Sequence, residues 1–332
     1  MAVVLAATLA CGAARGEKCT SQSAMTDSDR NALASAARGM AEKVQANDAA
    51  GLQAITIAEY AHNFGAIQSA VTDASAKVKG AALAVEQVYL LDASDLKPGS
   101  DGKPSNAQFL CTLNRSIAEA DFSIPSLPAG KYGFAVVETR GGTAPWRLSF
   151  LMQQVQGQWQ MAGFYPRAMT AAGHDGLWYW TEARTLAKNK QQWSAWLYYQ
   201  QAEVLLNPSG LIQSTHLEKL HNEQSAAAPP ALSSGISPES PLVVKGANGA
   251  EYHFIGLRVD DSLAKEKIDV LARLKVDQLG DAVAARKLNT DAMSALVAAY
   301  PELRKSFHGV WILSEVPGQS PYATEQAMNE IH

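Results

Sequence analysis

Apolar positions along the chain change their period near residue 80. Behind Thr26, which with Asp29 resembles a capping box, Leu33, Ala37, Met40 and Val44 recur at helical spacing and predict one amphipathic helix. Asn47 and Asp48 end it and cap a short helix through Leu52 and Ile55. A third helix is expected from Ala66 to Val78, stopped by Gly80. After Gly80 the period becomes two. Val85 to Leu91 reads as a strand, and Asp95 to Asn106, with Pro98, Gly99, Gly102 and Pro104, as a loop. Alternating runs follow at Phe109, Cys111 and Leu113, at Tyr132, Phe134 and Val136, and at Trp146, Leu148, Phe150 and Met152. The turn Gln156-Gly157-Gln158 leads into Trp159, Met161, Gly163 and Tyr165. Strands with one apolar face, joined by short turns, make an antiparallel sheet, and helices followed by strands make the fold class α+β.

The pattern turns helical again beyond residue 174. Gly176 to Lys188 and Gln192 to Leu206 predict a helical hairpin, closed by Asn207-Pro208-Ser209-Gly210. Trp178, Trp180, Trp193 and Trp196 all fall in it. Aromatics at helical spacing usually bury each other, so interdomain core is preferred to an aromatic ligand-binding face. Gln224 to Pro241 is rich in Ala, Pro and Ser without a hydrophobic period and reads as a semi-stiff, solvated linker. Val243-Val244 and Tyr252 to Val259 flank Asn248-Gly249, a strong hairpin turn. Ile268, Val270, Ala272, Leu274 and Val276 alternate with Lys267, Asp269, Arg273 and Lys275, a strand polar on one face. A helix from Asp281 to Ala299, a turn from Pro301 to Gly309, and strands Val310 to Val316 and Tyr322 to Met328 complete a β-β-β-α-β-β unit. The expected layout is an α+β unit at 26–168, the hairpin at 174–223, the linker at 224–241 and a second small α+β unit at 242–332.

Two stretches carry family resemblances. Asn47-Asp48-Ala49-Ala50-Gly51-Leu52, the helix after it, and the hairpin ending Gly157-Gln158-Trp159-Gln160-Met161-Ala162-Gly163-Phe164-Tyr165 resemble the nuclear transport factor two-like (NTF2-like, cystatin-like cone) superfamily over residues 26–168. That resemblance implies a sheet bent around a long helix, leaving a conical cavity. The superfamily hosts enzymes such as ketosteroid isomerase as well as binding and dimerisation modules, so the fold does not fix the function. Tyr179, Ala183 and Leu186, then Ala195, Tyr199 and Ala202, resemble a single tetratricopeptide repeat (TPR-like). Pro208 lies one residue late for that repeat, and no second copy follows at a period of about 34 residues. The C-terminal unit resembles no family.

Composition narrows the setting. Among 332 residues, 47% are hydrophobic and 18% charged, which supplies real cores and excludes wholesale disorder. A net charge of −4 gives no basic surface for nucleic acid. Beyond the N-terminus no apolar run is long enough for a transmembrane helix. Met1 to Ala10, all small or apolar apart from Thr8, followed by Cys11-Gly12-Ala13-Ala14-Arg15-Gly16, reads as a signal peptide over 1–16, although no Lys or Arg precedes the apolar run. A secreted or periplasmic protein is therefore expected. A cytosolic N-terminal helix competes with this reading, as does a lipid anchor at Cys11, against which Thr8 stands where a lipobox has Leu. Cys19 and Cys111 would remain, an even pair expected to form a disulfide in an oxidising compartment. Without CxxC or a Cys–His cluster, no metal site is expected.

Candidate chemistry is sparse. An isomerase in the cone would need an Asp base and hydrogen-bond donors on an apolar wall, and Asp121, Tyr60 and His62 are the available groups. Nothing in the sequence brings them together. Asp121 reads as a strand-edge or turn carboxylate, His62 as a solvated or capping imidazole, and Glu138 with Arg140 as a rim ion pair. His216 and His221, five apart on a helix, do not share the face a metal pair needs. Ser262-Leu263-Ala264-Lys265 matches Ser-x-x-Lys, but Lys-Thr-Gly is absent and the stretch reads as a charged turn. No nucleotide, zinc-protease or nucleophile-elbow motif occurs, so no cofactor is expected and no residue is assigned a catalytic, ligand-binding or metal role. The expected function is an exported, non-catalytic binding or scaffold protein for a protein partner or an apolar small molecule. The alternative is a small-molecule isomerase or hydrolase using the cone. An acid–base pair in the cavity favours the alternative; an apolar lining favours the binder.

Overall fold

The computed structural model describes residues 17–112, 119–142, 144–247, 249–262 and 266–332. The expected signal peptide with Cys11, and also Leu113, Asn248 and Leu263 to Lys265 of the Ser-x-x-Lys stretch, lie outside the described residues. The fold is α+β, mainly antiparallel, and no sheet of the described residues closes into a barrel.

The first half contains β1 (Lys18–Ser21), α1 (Asp27–Gln45), α2 (Ala49–Ala54), α3 (Ala58–Ala61), α4 (Gly65–Val78), β2 (Ala82–Asp92), β3 (Ser105–Thr112), β4 (Glu119–Leu127), β5 (Lys131–Arg140), β6 (Trp146–Val155) and β7 (Gln158–Ala168). Local chemistry sets the helix starts. Thr26 Oγ1 accepts from the Asp29 amide, and Asp48 Oδ1 accepts from the Gly51 amide at 2.8 Å. A Cβ on Gly51 would sit 1.9 Å from Asp48 Oδ2, so a larger residue there would force the capping carboxylate to turn. The strands form an antiparallel sheet in the order β1-β2-β5-β6-β7. On one face Leu33, Ala37, Met40 and Val44 of α1 pack with Val88, Ala135, Val137, Leu148 and Phe150. On the other, β3 and β4 lay Phe109, Phe122 and Ile124 over Tyr89, Tyr132 and Phe134. The ring of Phe122 meets Tyr89 and Phe134 edge-on at 5.0 and 5.2 Å. Cys19 of β1 and Cys111 of β3 are disulfide-bonded, with Cα atoms 5.3 Å apart.

The second half contains β8 (Thr170–Ala171), β9 (His174–Asp175), α5 (Gly176–Lys188), α6 (Gln192–Leu206), β10 (Ile212–Ser214), α7 (Thr215–Ala227), β11 (Leu242–Lys245), β12 (Glu251–Asp260), β13 (Asp269–Lys275), α8 (Ala282–Ala299), α9 (Leu303–Ser306), β14 (Gly309–Glu315) and β15 (Tyr322–Ala327). The last five strands form one sheet in sequence order, antiparallel except for β13 and β14, which run parallel across the α8 crossover. β10 pairs instead with β4, so the helical segment donates a strand to the first half.

Several features depart from the sequence reading. β1, β4 and α3 were not expected. β4 is broken up by Pro125 and by Ser126 at φ 51°, beside a register shift against β3, which hides the alternation of Ala120, Phe122 and Ile124. The segment read as a solvated linker is partly in the core. α7 runs to Ala227 because Leu217, Leu220 and Gln224 continue one buried stripe, and Leu232 is buried with residues of the hairpin and the last sheet. Asp269, expected on the polar face of its strand, is only 1% exposed. Gly309 on the neighbouring strand leaves the niche: a Cβ there would lie 3.0 Å from Asp269 Oδ1.

Candidate ligand-binding groove

Where α5, α6 and α7 meet the first sheet, a groove of about 440 Å³ opens. Asp175 starts α5 by accepting from the Trp178 amide at 2.8 Å, and Ser214 starts α7 by accepting from Leu217 at 3.2 Å. These caps aim the first turns of two helices at the sheet. Leu177 and Trp180 of α5 share a wall, Leu206 and Leu217 come from α6 and α7, Tyr89 and Val136 from the sheet, and Ile212 from β10. Leu177 is 59% exposed, a large apolar side chain left facing solvent at the mouth.

The charges of the groove are already engaged. Arg147 donates Nη2 and Nε to Glu138 Oε1 at 3.0 and 3.2 Å. Its Nη1 donates to the Leu205 and Leu206 carbonyls at the C-terminus of α6, both at 3.3 Å, where a cation suits the helix dipole. Glu86 is held by Arg140. Burial pushes the Tyr89 phenol up to about 12, so it stays neutral. His216 and Ser214 sit among the lining. The arrangement offers an apolar slot with neutralised charge at its edge, suited to holding a molecule rather than moving a proton.

The structure scatters the residues singled out in the sequence. Glu138 pairs with Arg147 rather than with Arg140. The two arginines occupy different strands, and directly opposed cross-strand positions lie closer than residues two apart on one strand. Asp121 on β4 faces a different hollow, with Glu119, Glu218 and His221. Tyr60 on α3 lines a small cavity with Tyr132 and Tyr165, and burial raises its phenol. His62 ends α3 and bonds the Ala58 carbonyl. His216 and His221 line different hollows. Ser262 donates its amide to Asp260 Oδ1 at 3.0 Å in a turn. Trp180 and Trp193 are 7% and 6% exposed and belong to the core, whereas Trp178 is 36% exposed. Sequence reasoning missed Leu177, Leu206 and Ile212. The available signal was the i, i+3 spacing of Leu177 and Trp180, which puts two apolar residues on one face at a helix start. Compared with protein-family profiles, curated proteins and solved structures, the chain matches none.

Proposed function

We propose that the chain is an exported, non-catalytic binding protein whose groove takes an apolar or amphipathic small molecule. The observation that carries the reading is the apolar lining from Tyr89, Val136, Trp180 and Leu217, with Glu138, Arg147 and Glu86 committed to ion pairs. At about 440 Å³ the groove falls in the range of roughly 300–1,000 Å³ typical of small-molecule sites. Export is supported by the apolar start of the sequence and by the Cys19–Cys111 disulfide, which persists in oxidising compartments. Among the described residues no helix is long and apolar enough to cross a membrane. The NTF2-like proposal for the first unit draws support from α1 lying across a five-stranded antiparallel sheet, and the TPR-like proposal from the close pair α5 and α6.

The test is titration with the neutral fluorescent probe N-phenyl-1-naphthylamine. Saturable binding that weakens about tenfold in Leu177→Glu, with an unchanged melting temperature, is expected. Binding that ignores Leu177→Glu, or no saturation, would remove this reading. Native mass spectrometry of exported protein should show a small-molecule adduct released on denaturation. N-terminal sequencing of extracellular or periplasmic material should begin after Gly16, and material still beginning at Met1 would contradict export with cleavage.

A further inference from the structure

α5 separates two hollows. Leu177 and Trp180 face the groove described above, whereas Trp178 and Tyr179 line another, of about 250 Å³, on the side of the last sheet. The second hollow is walled by rings. His174 stacks on Trp178 at 3.7 Å and 11°, Trp178 meets Tyr179 edge-on at 5.0 Å, and Tyr198 meets Phe307 edge-on at 5.7 Å. The rings are held in place: Tyr179 donates to the Ala171 carbonyl at 3.0 Å and Tyr198 to the Ser306 carbonyl at 3.2 Å. Trp178 is 36% exposed, whereas Trp180 and Trp193 of the same helical segment are buried.

The polar groups are also built rather than incidental. The His308 backbone is pinned on both sides, its amide donating to Ile268 and its carbonyl accepting from Met328, each at 2.8 Å. Its Nδ1 lies 3.2 Å from Oδ1 of the buried Asp269, whose Oδ2 has no hydrogen-bond partner among the described residues. Burial raises the Asp269 carboxyl, and the His308 contact opposes that rise. A carboxylate at Nδ1 fixes the orientation of the His308 ring in the wall of the hollow. Lys267 and Lys305 line the same hollow, and neither forms an ion pair with a described carboxylate. The lining holds two lysines against one carboxylate, Glu266, so an anion is favoured over a cation in the ring cage. The volume lies below the roughly 300 Å³ at which drug-sized sites begin, which suits one ring with a short arm.

We propose that this hollow is a second ligand site, for a small aromatic carboxylate whose ring packs on the His174–Trp178 pair and whose carboxylate meets Lys267 and Lys305. The proposal does not rest on the function of the first groove. The test uses the full chain, with tryptophan fluorescence and calorimetry, and three probes of one shape: phenylacetate, the neutral phenylacetamide, and the cationic benzyltrimethylammonium. Phenylacetate is expected to bind one to one, phenylacetamide about tenfold more weakly, and the ammonium not at all. Lys267→Gln combined with Lys305→Gln should weaken phenylacetate by tenfold or more, and Trp178→Ala should abolish the fluorescence response, while Leu177→Glu should leave both unchanged. The lysines are exposed, so the double variant should keep its melting temperature. Equal binding of the three probes, phenylacetate binding unaffected by the lysine variants, or no saturable binding at millimolar phenylacetate would each overturn the proposal.

Discussion

Glu223 shows how single residues in the helical segment are locked. Its Oε2 accepts from Trp180 Nε1 at 2.8 Å and from Arg184 Nε at 2.7 Å, and its Oε1 from Arg184 Nη2 at 2.8 Å. The Arg184 hydrogen bonds hold its carboxyl below the ordinary glutamate value. A depressed folded-state pKa contributes stability above the unfolded value and loses it as the pH falls through the folded one. Glu223→Gln should therefore be less stable than the parent at neutral pH, with the gap closing as the pH drops well below about 4.3, as urea melts across pH would show. Asp269 has the opposite sign: burial raises it, so its own contribution weakens as the pH rises through the carboxylate range. Asn289 makes a different kind of lock. It is fully buried on α8, donates to Thr324 Oγ1 at 3.0 Å and to the Ile312 and Tyr322 carbonyls at 3.3 Å, and accepts from Ser314. Asn289→Ala strands the buried Ser314 hydroxyl and two strand carbonyls, so a loss of about 2–3 kcal/mol in urea unfolding is expected, far more than at a surface asparagine.

At the scale of elements, the disulfide joins the edge strand β1 of the five-stranded sheet to β3 of the smaller sheet. It spans 92 positions, so in the chain-entropy account Cys19→Ala with Cys111→Ala should lose about 4 kcal/mol. Calorimetry of parent and double variant measures that loss, and a difference near zero would mean the unfolded chain gains little freedom. The pair was legible from the even count of Cys19 and Cys111 together with the expected oxidising compartment. So were α1, its Thr26 cap, and the strands β5, β6 and β7, because each carries a full period of apolar residues over at least three repeats. β1 and β10 were not legible, having four and three residues. Strands that short are defined by the partner they pair with, not by their own pattern. The candidate groove was hidden for the same reason. Its walls come from three helices and two sheets, and only Leu177 with Trp180 leaves a local trace. Asp269 was misplaced because alternation assigns faces but does not see the missing side chain of Gly309 on the next strand.

At the scale of the whole molecule, the segment α5 to α7 belongs to both halves. It gives β10 to β4, and Arg147 of the first sheet holds the end of α6. On the other side Trp193 packs on Tyr300 at 4.1 Å, its amide donates to Glu302, and Tyr198 packs on Phe307. Trp180, Tyr199 and Leu220 share one continuous core with Phe254, Val270 and Leu296. The sequence reading made 242–332 a separate small unit behind a solvated linker. The shared core argues for a different outcome. Ser233 to Gly235 are exposed and should be nicked first by a nonspecific protease, yet Leu232 just before them is buried in that core. The two pieces should then stay together on size exclusion and unfold in one transition. Expressed alone, residues 242–332 lose the partners of Phe307 and Tyr300 and should show no cooperative melt, because a unit that small buries too little of its surface. A fragment of residues 169–332 keeps those contacts and should melt cooperatively. Separation of the nicked pieces under native conditions, or a sharp transition in 242–332 by itself, would place the boundary back at the linker.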